Sequence, residues 1–184
     1  LGCFSFYGTK VTTSGEGGAV VTDNKILCEK LKQIRNHGQT KNNLVTRLGL
    51  NLRLSEINAA IGKIQMKKLP SFLKQRKNNA KILTELLQNH DIVLPKQRKH
   101  ERPNWYLYTI AHKNRNKIMR KLNSLGIGAT VYYSTPIHKT SYYKTKKNLP
   151  HTEWASSHVL CLPIHPKVRM SDLEKMQRVL GNKK

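Results

Sequence analysis

The chain has 184 residues, enough for one ordinary domain or parts of two. Its 34 lysines and arginines outnumber 10 acidic residues, and the formal net charge of +24 is extreme for a soluble enzyme and predicts attraction to polyanions. Three scattered cysteines exclude a disulfide framework and fit a reduced, intracellular chain, and the lack of a long apolar run excludes a membrane-spanning helix.

The N-terminal stretch predicts two short strands joined by a glycine-rich loop. Residues 3–7 are apolar enough for a buried strand, and Gly8 and Thr9 then break the run. Lys10 follows, then small hydroxyl residues and the glycine cluster 15–18. Residues 19–22 read as a second strand. The spacing of the glycines matches neither a dinucleotide-binding fingerprint nor a P-loop.

Lys10 and Ser5 are the side chains of this stretch with chemical potential. A lysine amine held in a partly apolar site among other cations can act as a nucleophile and form a Schiff base with a carbonyl. The alternative for Lys10 is an ordinary loop lysine on the surface. Ser5 can offer its hydroxyl to a phosphate or bond to backbone, and a turn at Gly8 would let both residues face one pocket.

The rest of the chain predicts an α/β arrangement. Helices are expected over residues 24–36, from Ser55 to Pro70, from Pro70 to about Gln88, from Asn114 or Arg115 to Gly126, over 152–157 and over 171–180. Strands are expected over residues 92–94, 105–111, 129–133 and 159–162. Residues 39–50 show no clear period and are expected to form a loop.

One group of residues has loosely metal-like spacing. His158, Cys161 and His165 lie close in sequence, but a structural zinc needs a fourth ligand and none is obvious. A buried strand cysteine between two surface histidines is the preferred interpretation, and we expect no metal.

Several motifs, in order, are similar to those of a known family. Residues 5–10 and 13–18 resemble the cofactor-lysine segment of the DegT/DnrJ/StrS sugar aminotransferases, with the pattern S-F-x-x-x-K and then T-T-G-E-G-G, except that Ser14 replaces the second threonine. The resemblance continues at residues 35–38, 49–56, 58–62, 126–128, 132–138, 153–154 and 162–166. It covers nearly the whole chain.

The resemblance implies the fold of a type I transferase that uses pyridoxal 5′-phosphate (PLP). Family chains are about twice as long, and the part without a counterpart here precedes the lysine, so this chain resembles the C-terminal half. Residues 1–52 are then expected to be the remainder of the large PLP-binding domain, 53–90 connecting helices, and 91–184 a small C-terminal α/β domain. The other half would supply the aspartate that pairs with the pyridine nitrogen and the side chain that stacks on the ring.

The resemblance also implies roles for individual residues. Lys10 would hold PLP as an imine and, once freed, act as the general base that moves a proton between donor and cofactor. Ser5 would bind the cofactor phosphate within the same chain, and Asn51 would contact the phosphate of the neighbouring subunit, unless it is an ordinary turn asparagine. Three further residues are weaker candidates for holding the nucleotide-sugar: Arg53, Tyr133 and His138.

The implied function is transamination of a nucleotide-linked keto-sugar, with glutamate as amino donor, in surface polysaccharide or amino-sugar biosynthesis. We expect a cytoplasmic homodimer without membrane contact, inactive as a half-chain unless the N-terminal half is supplied, for example by a separate polypeptide. Binding to nucleic acid is expected to be non-specific. The alternatives are a basic polyanion- or nucleic-acid-binding protein, in which tyrosines stack on bases, and an inactive fragment.

Overall fold

The computed structural model describes residues 1–143 and 145–181, and the chain divides into two compact units, Leu1–Pro70 and Ser71–Lys184. Its elements follow in this order: β1 Gly2–Ser5, β2 Gly18–Val21, α1 Lys25–Arg35, α2 Glu56–Leu87, β3 Tyr108–Ala111, α3 Arg115–Ser124, the 3-10 helix Ile137–Lys139, α4 Pro150–His158, β4 Val159–Leu162 and α5 Met170–Gly181. No helix among the described residues is long and apolar enough to cross a bilayer.

In the first unit, β1 and β2 form an antiparallel pair. Gly2 pairs with Val21 and Ser5 with Gly18. The prediction of a buried strand over residues 3–7 was wrong in its extent and its burial, because β1 ends at Ser5 and Phe4 is 56% exposed. A two-stranded ribbon buries a side chain only when another layer covers it, and the residues of Leu1–Pro70 classed as buried are Ser14 and Gly38.

Helix α1 begins and ends where the sequence predicts. The side-chain oxygen of Asn24 accepts a hydrogen bond from the backbone N–H of Leu27 at 3.1 Å, which caps the helix. Beyond Arg35 the chain leaves the helix through His37 and Gly38, both with positive φ. The predicted loop 39–50 folds back on itself as a bridge between Gln39 and Val45.

Helix α2 is continuous where the sequence predicts two helices. Pro70 lies inside it, and the predicted break at that residue was wrong. A proline inside a helix removes one hydrogen bond and costs about 3 kcal/mol or more. The turns that follow bury Ala80, Leu83 and Leu87, and this burial offsets the local cost. The predicted boundaries of the connecting segment 53–90 stay a prediction.

The second unit is built on an antiparallel pair of strands. Strand β3 pairs with β4 in the register Tyr108 to Leu162 and Ala111 to Val159. The predicted strand 105–111 is shortened because Trp105 has a φ of 52°, which interrupts extended backbone. The predicted strands 92–94 and 129–133 are reduced to single bridges, Val93 to Ala111 and Thr130 to Cys161.

The core described for the chain lies in this second unit. Helix α3 packs against both α5 and β4. The large side chains that are fully buried in this core include Leu83, Leu87, Tyr108, Ile110, Leu122, Leu160, Ile164, Leu173 and Met176. The helical periodicity predicts inward side chains at Ile118 and Leu122 in α3 and at Leu173 and Met176 in α5, and all four are buried, whereas Leu125, also predicted to face inward, is 42% exposed. This unit mixes helices and strands, which agrees with the α/β fold class.

Candidate cofactor and substrate site

Lys10 lies in the loop that connects β1 to β2. The base of this loop is closed by Phe6, whose N–H donates to Gly17 O at 2.9 Å and whose carbonyl accepts from Ser14 N at 2.9 Å. The predicted turn at Gly8 is present. Lys10 follows it with its side chain half-buried. The lysine therefore lies on a closed loop and not on a free surface segment.

Tyr7 links Lys10 to Ser5 through its backbone. The Tyr7 N–H donates to Ser5 Oγ at 3.4 Å, and the Tyr7 carbonyl accepts from Lys10 N at 3.0 Å. Ser5 is the exposed last residue of β1. The turn thus holds together the two residues that the sequence singled out.

Ser14 anchors this loop, and the sequence reading missed its role. Its side chain is fully buried, and Ser14 Oγ donates to Glu16 O at 2.7 Å. Thr13 Oγ1 donates to Phe6 O and accepts from Gly15 N, both at 2.9 Å. The signal available in the sequence was the run of small hydroxyl residues after the lysine, because such side chains commonly bond to nearby backbone.

The glycines of the loop are required by space and by backbone angle. Gly17 has a φ of 144°, and a methyl group there would lie 2.7 Å from Leu54 Cδ1 and 2.8 Å from Ser14 Oγ. The start of α2 closes the other side, because Asn58 Nδ2 donates to Glu16 O at 3.2 Å. The loop that carries Lys10 is thus packed against α2 with no room for larger residues at Gly17.

Asn51 and Arg53, two further candidate residues, contact each other in the same unit. Both are exposed, and Arg53 Nε donates to Asn51 Oδ1 at 3.0 Å. The backbone of Asn51 pairs with Asn36. Nearby, Gly38 and Gly49 cross so closely that a side chain on Gly38 would overlap Arg47 O. Gly38 was predicted only as the residue that ends α1, and no role was predicted for Gly49; the close crossing of the two glycines holds Asn51 beside the end of α1.

Tyr133 and His138 belong to the second unit. Tyr133 is 77% exposed and meets Tyr132 edge-on, with ring centroids 5.7 Å apart. His138 is 9% exposed, and its Nε2 lies 3.2 Å from Glu153 Oε1. The suggested substrate contacts of Tyr133 and His138 stay predictions, as do the roles of Ser5, Lys10, Asn51 and Arg53.

Glu153 is the most strongly perturbed carboxyl among those described. Hydrogen bonds from Lys139, from His138 and from the backbone N–H of Leu149 hold its pKa down to about 2. Glu153 lies in one of the motifs that resemble the family, but no role was predicted for it. A usable signal was the acidic residue in the first turn of a helix that begins at Pro150, in a chain with few acids.

The three residues with metal-like spacing each have a protein partner. His158 Nδ1 lies 2.8 Å from Trp154 O, and the His158 ring stacks on Trp154. Cys161 is buried in β4 beside Thr109, and His165 Nδ1 accepts from Lys167 N at 3.2 Å. Across residues 1–143 and 145–181, no group of three or more His, Cys, Asp or Glu residues is placed to hold a metal ion.

Comparison with known proteins identifies the family. The sequence model of the DegT/DnrJ/EryC1/StrS aminotransferase family matches residues 1–181. A dTDP-3-amino-3,4,6-trideoxy-alpha-D-glucose transaminase of Streptomyces venezuelae is 33% identical over 90% of this chain and 45% of its own. A UDP-N-acetyl-3-dehydro-alpha-D-glucosamine 3-aminotransferase of Acidithiobacillus ferrooxidans is 30% identical over 98% of this chain and 50% of its own.

A solved structure agrees with these sequence matches. The crystal structure of S. venezuelae DesV in complex with a ketimine intermediate superposes with a TM-score of 0.91 at 30% identity, covering 96% of this chain and 49% of that one. The chain therefore spans about half the length of the relatives that it matches.

Proposed function

Because the chain belongs to the DegT/DnrJ/EryC1/StrS aminotransferase family, we propose that it carries the catalytic lysine of a transaminase for nucleotide-linked keto-sugars. The proposed setting is surface polysaccharide or amino-sugar biosynthesis in the cytoplasm. PLP is the cofactor of this family. The observation that carries the proposal is the closed loop with Lys10, which is fixed by buried Ser14 and by Gly17.

The residues present in the first unit fit PLP chemically. Lys10 supplies an amine for its aldehyde, and Ser5 and Asn51 supply a hydroxyl and an amide for its phosphate. In the same loop Thr12 Oγ1 is buried and, among the described residues, has no hydrogen-bond partner. Such an atom is unusual inside a protein and supports a polar group bound near this loop.

Each residue has a defined task in the proposed reaction. The bound cofactor acts as an electron sink. Lys10 would hold the cofactor and, once released from it, its Nζ would move the proton between the α-carbon of the donor and the cofactor. Arg53 fixes the carboxamide of Asn51 for phosphate contact. Tyr133 and His138 hold the nucleotide-sugar, and glutamate is the amino donor.

Activity is proposed to require the N-terminal half that the relatives have and this sequence does not cover, whether it is encoded in the same polypeptide or in a separate one. It is also proposed to require a homodimer in which Asn51 acts across the interface. The exposed apolar side chains of the first unit support this, since Phe4, Val20, Val21 and Leu48 are 56%, 48%, 51% and 89% exposed. Exposed apolar patches commonly mark surfaces that another polypeptide covers.

The test is covalent trapping. The chain is combined with the completing region and PLP, treated with borohydride and digested, and the mass of each peptide is measured. We expect the added mass on Lys10 and a visible absorption band before reduction. A label on another lysine, or none in an active preparation, would refute the assignment.

A further inference from the structure

One carboxylate in the second unit ties together both ends of a loop. Glu153 Oε1 accepts from His138 Nε2 at 3.2 Å and from Leu149 N at 3.3 Å, and Glu153 Oε2 accepts from Lys139 Nζ. His138 and Lys139 precede the loop 140–148, and Leu149 follows it. A single side chain thus joins the residues that flank this segment on its two sides.

The hydrogen bonds of Glu153 are charge-assisted, which makes them stronger than hydrogen bonds between neutral groups. Its side chain is 28% exposed and lies in the first turn of α4, where the helix dipole favours a negative charge. Because its pKa is lowered to about 2, Glu153 is ionised at neutral pH, and each of the three contacts is charge-assisted. Since an ionised carboxylate can only accept, His138 Nε2 carries the proton in its contact.

The same segment presents aromatic side chains to solvent. Tyr133 is 77% exposed, and Tyr142 and Tyr143 are 87% and 58% exposed. Tyr142 and Tyr143 meet edge-on with centroids 5.0 Å apart. A large exposed ring is an effective binding group when its backbone is held in one conformation, because less freedom is lost on binding. His138, in contrast, faces inward against Glu153.

We infer that Glu153 is a positioning residue for the nucleotide-sugar. Through His138, Lys139 and Leu149 it holds residues 133–143 and 145–149 in the conformation that presents Tyr133 to the substrate. The inference rests on the proposed function and adds to it a residue that touches neither substrate nor cofactor. It also replaces the direct sugar contact proposed above for His138 by a supporting role, because the His138 ring is buried and bonded to Glu153.

The test separates the two halves of the reaction in the complete enzyme. Glu153→Gln keeps the size of the side chain and removes its charge, and Glu174→Gln, an exposed change on α5, is the matched control. Binding of UDP-N-acetylglucosamine and dTDP-glucose is measured by calorimetry, and the half-reaction with glutamate alone is followed by cofactor absorbance. For Glu153→Gln we expect about tenfold weaker nucleotide-sugar binding and an unchanged glutamate half-reaction.

A second measurement does not use the cofactor. Limited trypsin digestion of the chain, with peptides identified by mass, reports cleavage after Lys146 and Lys147 inside the loop. We expect cleavage there to be at least about fivefold faster in Glu153→Gln, because a loop that opens more often is cut more often. Glu153→Asp, which keeps the charge, is expected to restore part of both effects.

The possible results of these measurements distinguish a positioning role of Glu153 from general damage and from failure of the proposed function. Equal losses in sugar binding and in the glutamate half-reaction would overturn the inference, since they indicate general damage. Unchanged sugar binding in Glu153→Gln would overturn it as well. If the unaltered enzyme bound neither nucleotide-sugar, the proposed function itself would fail, and the inference with it.

Discussion

The two units of this chain differ in where their apolar side chains lie. In Ser71–Lys184 the strands β3 and β4 and the helices packed around them bury a continuous core that includes Leu83, Leu122 and Met176. In Leu1–Pro70 the side chains of Phe4, Val21 and Leu48 are exposed, and Ser14 is the buried side chain that organises the lysine loop. The described residues of the second unit therefore contain a buried apolar core, whereas those of the first unit bury only Ser14 and Gly38.

The residues proposed for the chemistry and the residues that form the buried core lie in different units. The residues proposed to hold the cofactor lie in the first unit, on short elements with local hydrogen bonds. The residues with the largest buried side chains lie in the second. Changes in the first unit should act mainly on cofactor and turnover, and changes in the second mainly on the free energy of unfolding.

The largest effect is expected from Lys10→Ala. Loss of both covalent attachment and proton transfer should lower turnover of the complete enzyme by more than about 10³-fold. Unfolding should be almost unaffected, since the side chain is only half-buried. Steady-state kinetics measures the turnover, and thermal unfolding measures the stability of the variant. Lys74→Ala on the exposed face of α2 is the control, and turnover above a tenth of normal in Lys10→Ala would end the assignment.

A core substitution in the second unit should have the next largest effect. Leu122 is fully buried, so Leu122→Ala should lower the free energy of unfolding by about 2–5 kcal/mol. Val21→Ala in the first unit should cost less than about 1 kcal/mol in the chain alone, because this side chain is 51% exposed.

Urea unfolding measures both variants, first in the chain alone and then with the completing region. A cost for Val21→Ala that increases in the completed protein would support burial of β2 by another polypeptide. Equal costs for Leu122→Ala and Val21→Ala in the chain alone would contradict the difference between the units.

Gly17→Ala should disturb the lysine loop. The added methyl group meets Leu54 Cδ1 and Ser14 Oγ, and the φ of 144° disfavours alanine, so a cost of about 1–3 kcal/mol is expected, mostly as weaker PLP binding. Gly8→Ala is the matched control, because its methyl group would lie 3.8 Å from Gly15 O. Titration with PLP measures the affinity of both variants for the cofactor. Equal affinities for Gly17→Ala and Gly8→Ala would show that the loop accommodates the added methyl group.

The pH dependence of the second unit should be carried in part by Glu153. Its pKa in the folded chain is lowered from 4.5 to about 2, so its contribution to stability is complete above 4.5 and is lost as pH falls toward 2. The melting temperature of Glu153→Gln should lie below that of the parent at pH 6, and the gap should narrow over this window. A gap that is constant with pH would exclude the ionised carboxylate as its cause.

The smallest specific effect is expected from the net charge of +24, most of which lies in the second unit. Duplex DNA should bind at low salt and dissociate as salt rises, because released counterions drive such binding. Fluorescence anisotropy over a salt series measures it. Sequence-selective binding that survived physiological salt would favour a nucleic-acid-binding protein over the transaminase.

Much of the candidate site could be predicted from local sequence. The pair Ser5 and Lys10, the break at Gly8 and the glycine cluster lie within a few residues of each other, and the structure joins them through Tyr7. The requirement for glycine at position 17 could not be predicted, because it depends on Leu54, a residue distant in sequence that lies just before α2.

The helices of the second unit were also determined locally. Ile118 and Leu122 in α3, and Leu173 and Met176 in α5, repeat with the helical period, and all four are buried. Such a period is set by the rotation per residue of the helix, so it can be read without knowledge of the fold.

Tertiary structure decided the rest. Whether a helix continues through Pro70, whether residues 129–133 form a strand or a single bridge, and whether Phe4 is buried all depend on which distant segments pack nearby. The contact between His138 and Glu153 is of the same kind, since it joins a 3-10 helix to α4 across a loop. A side chain carries its own size and charge in the sequence, but its partners are set only when the chain folds and brings distant residues into contact.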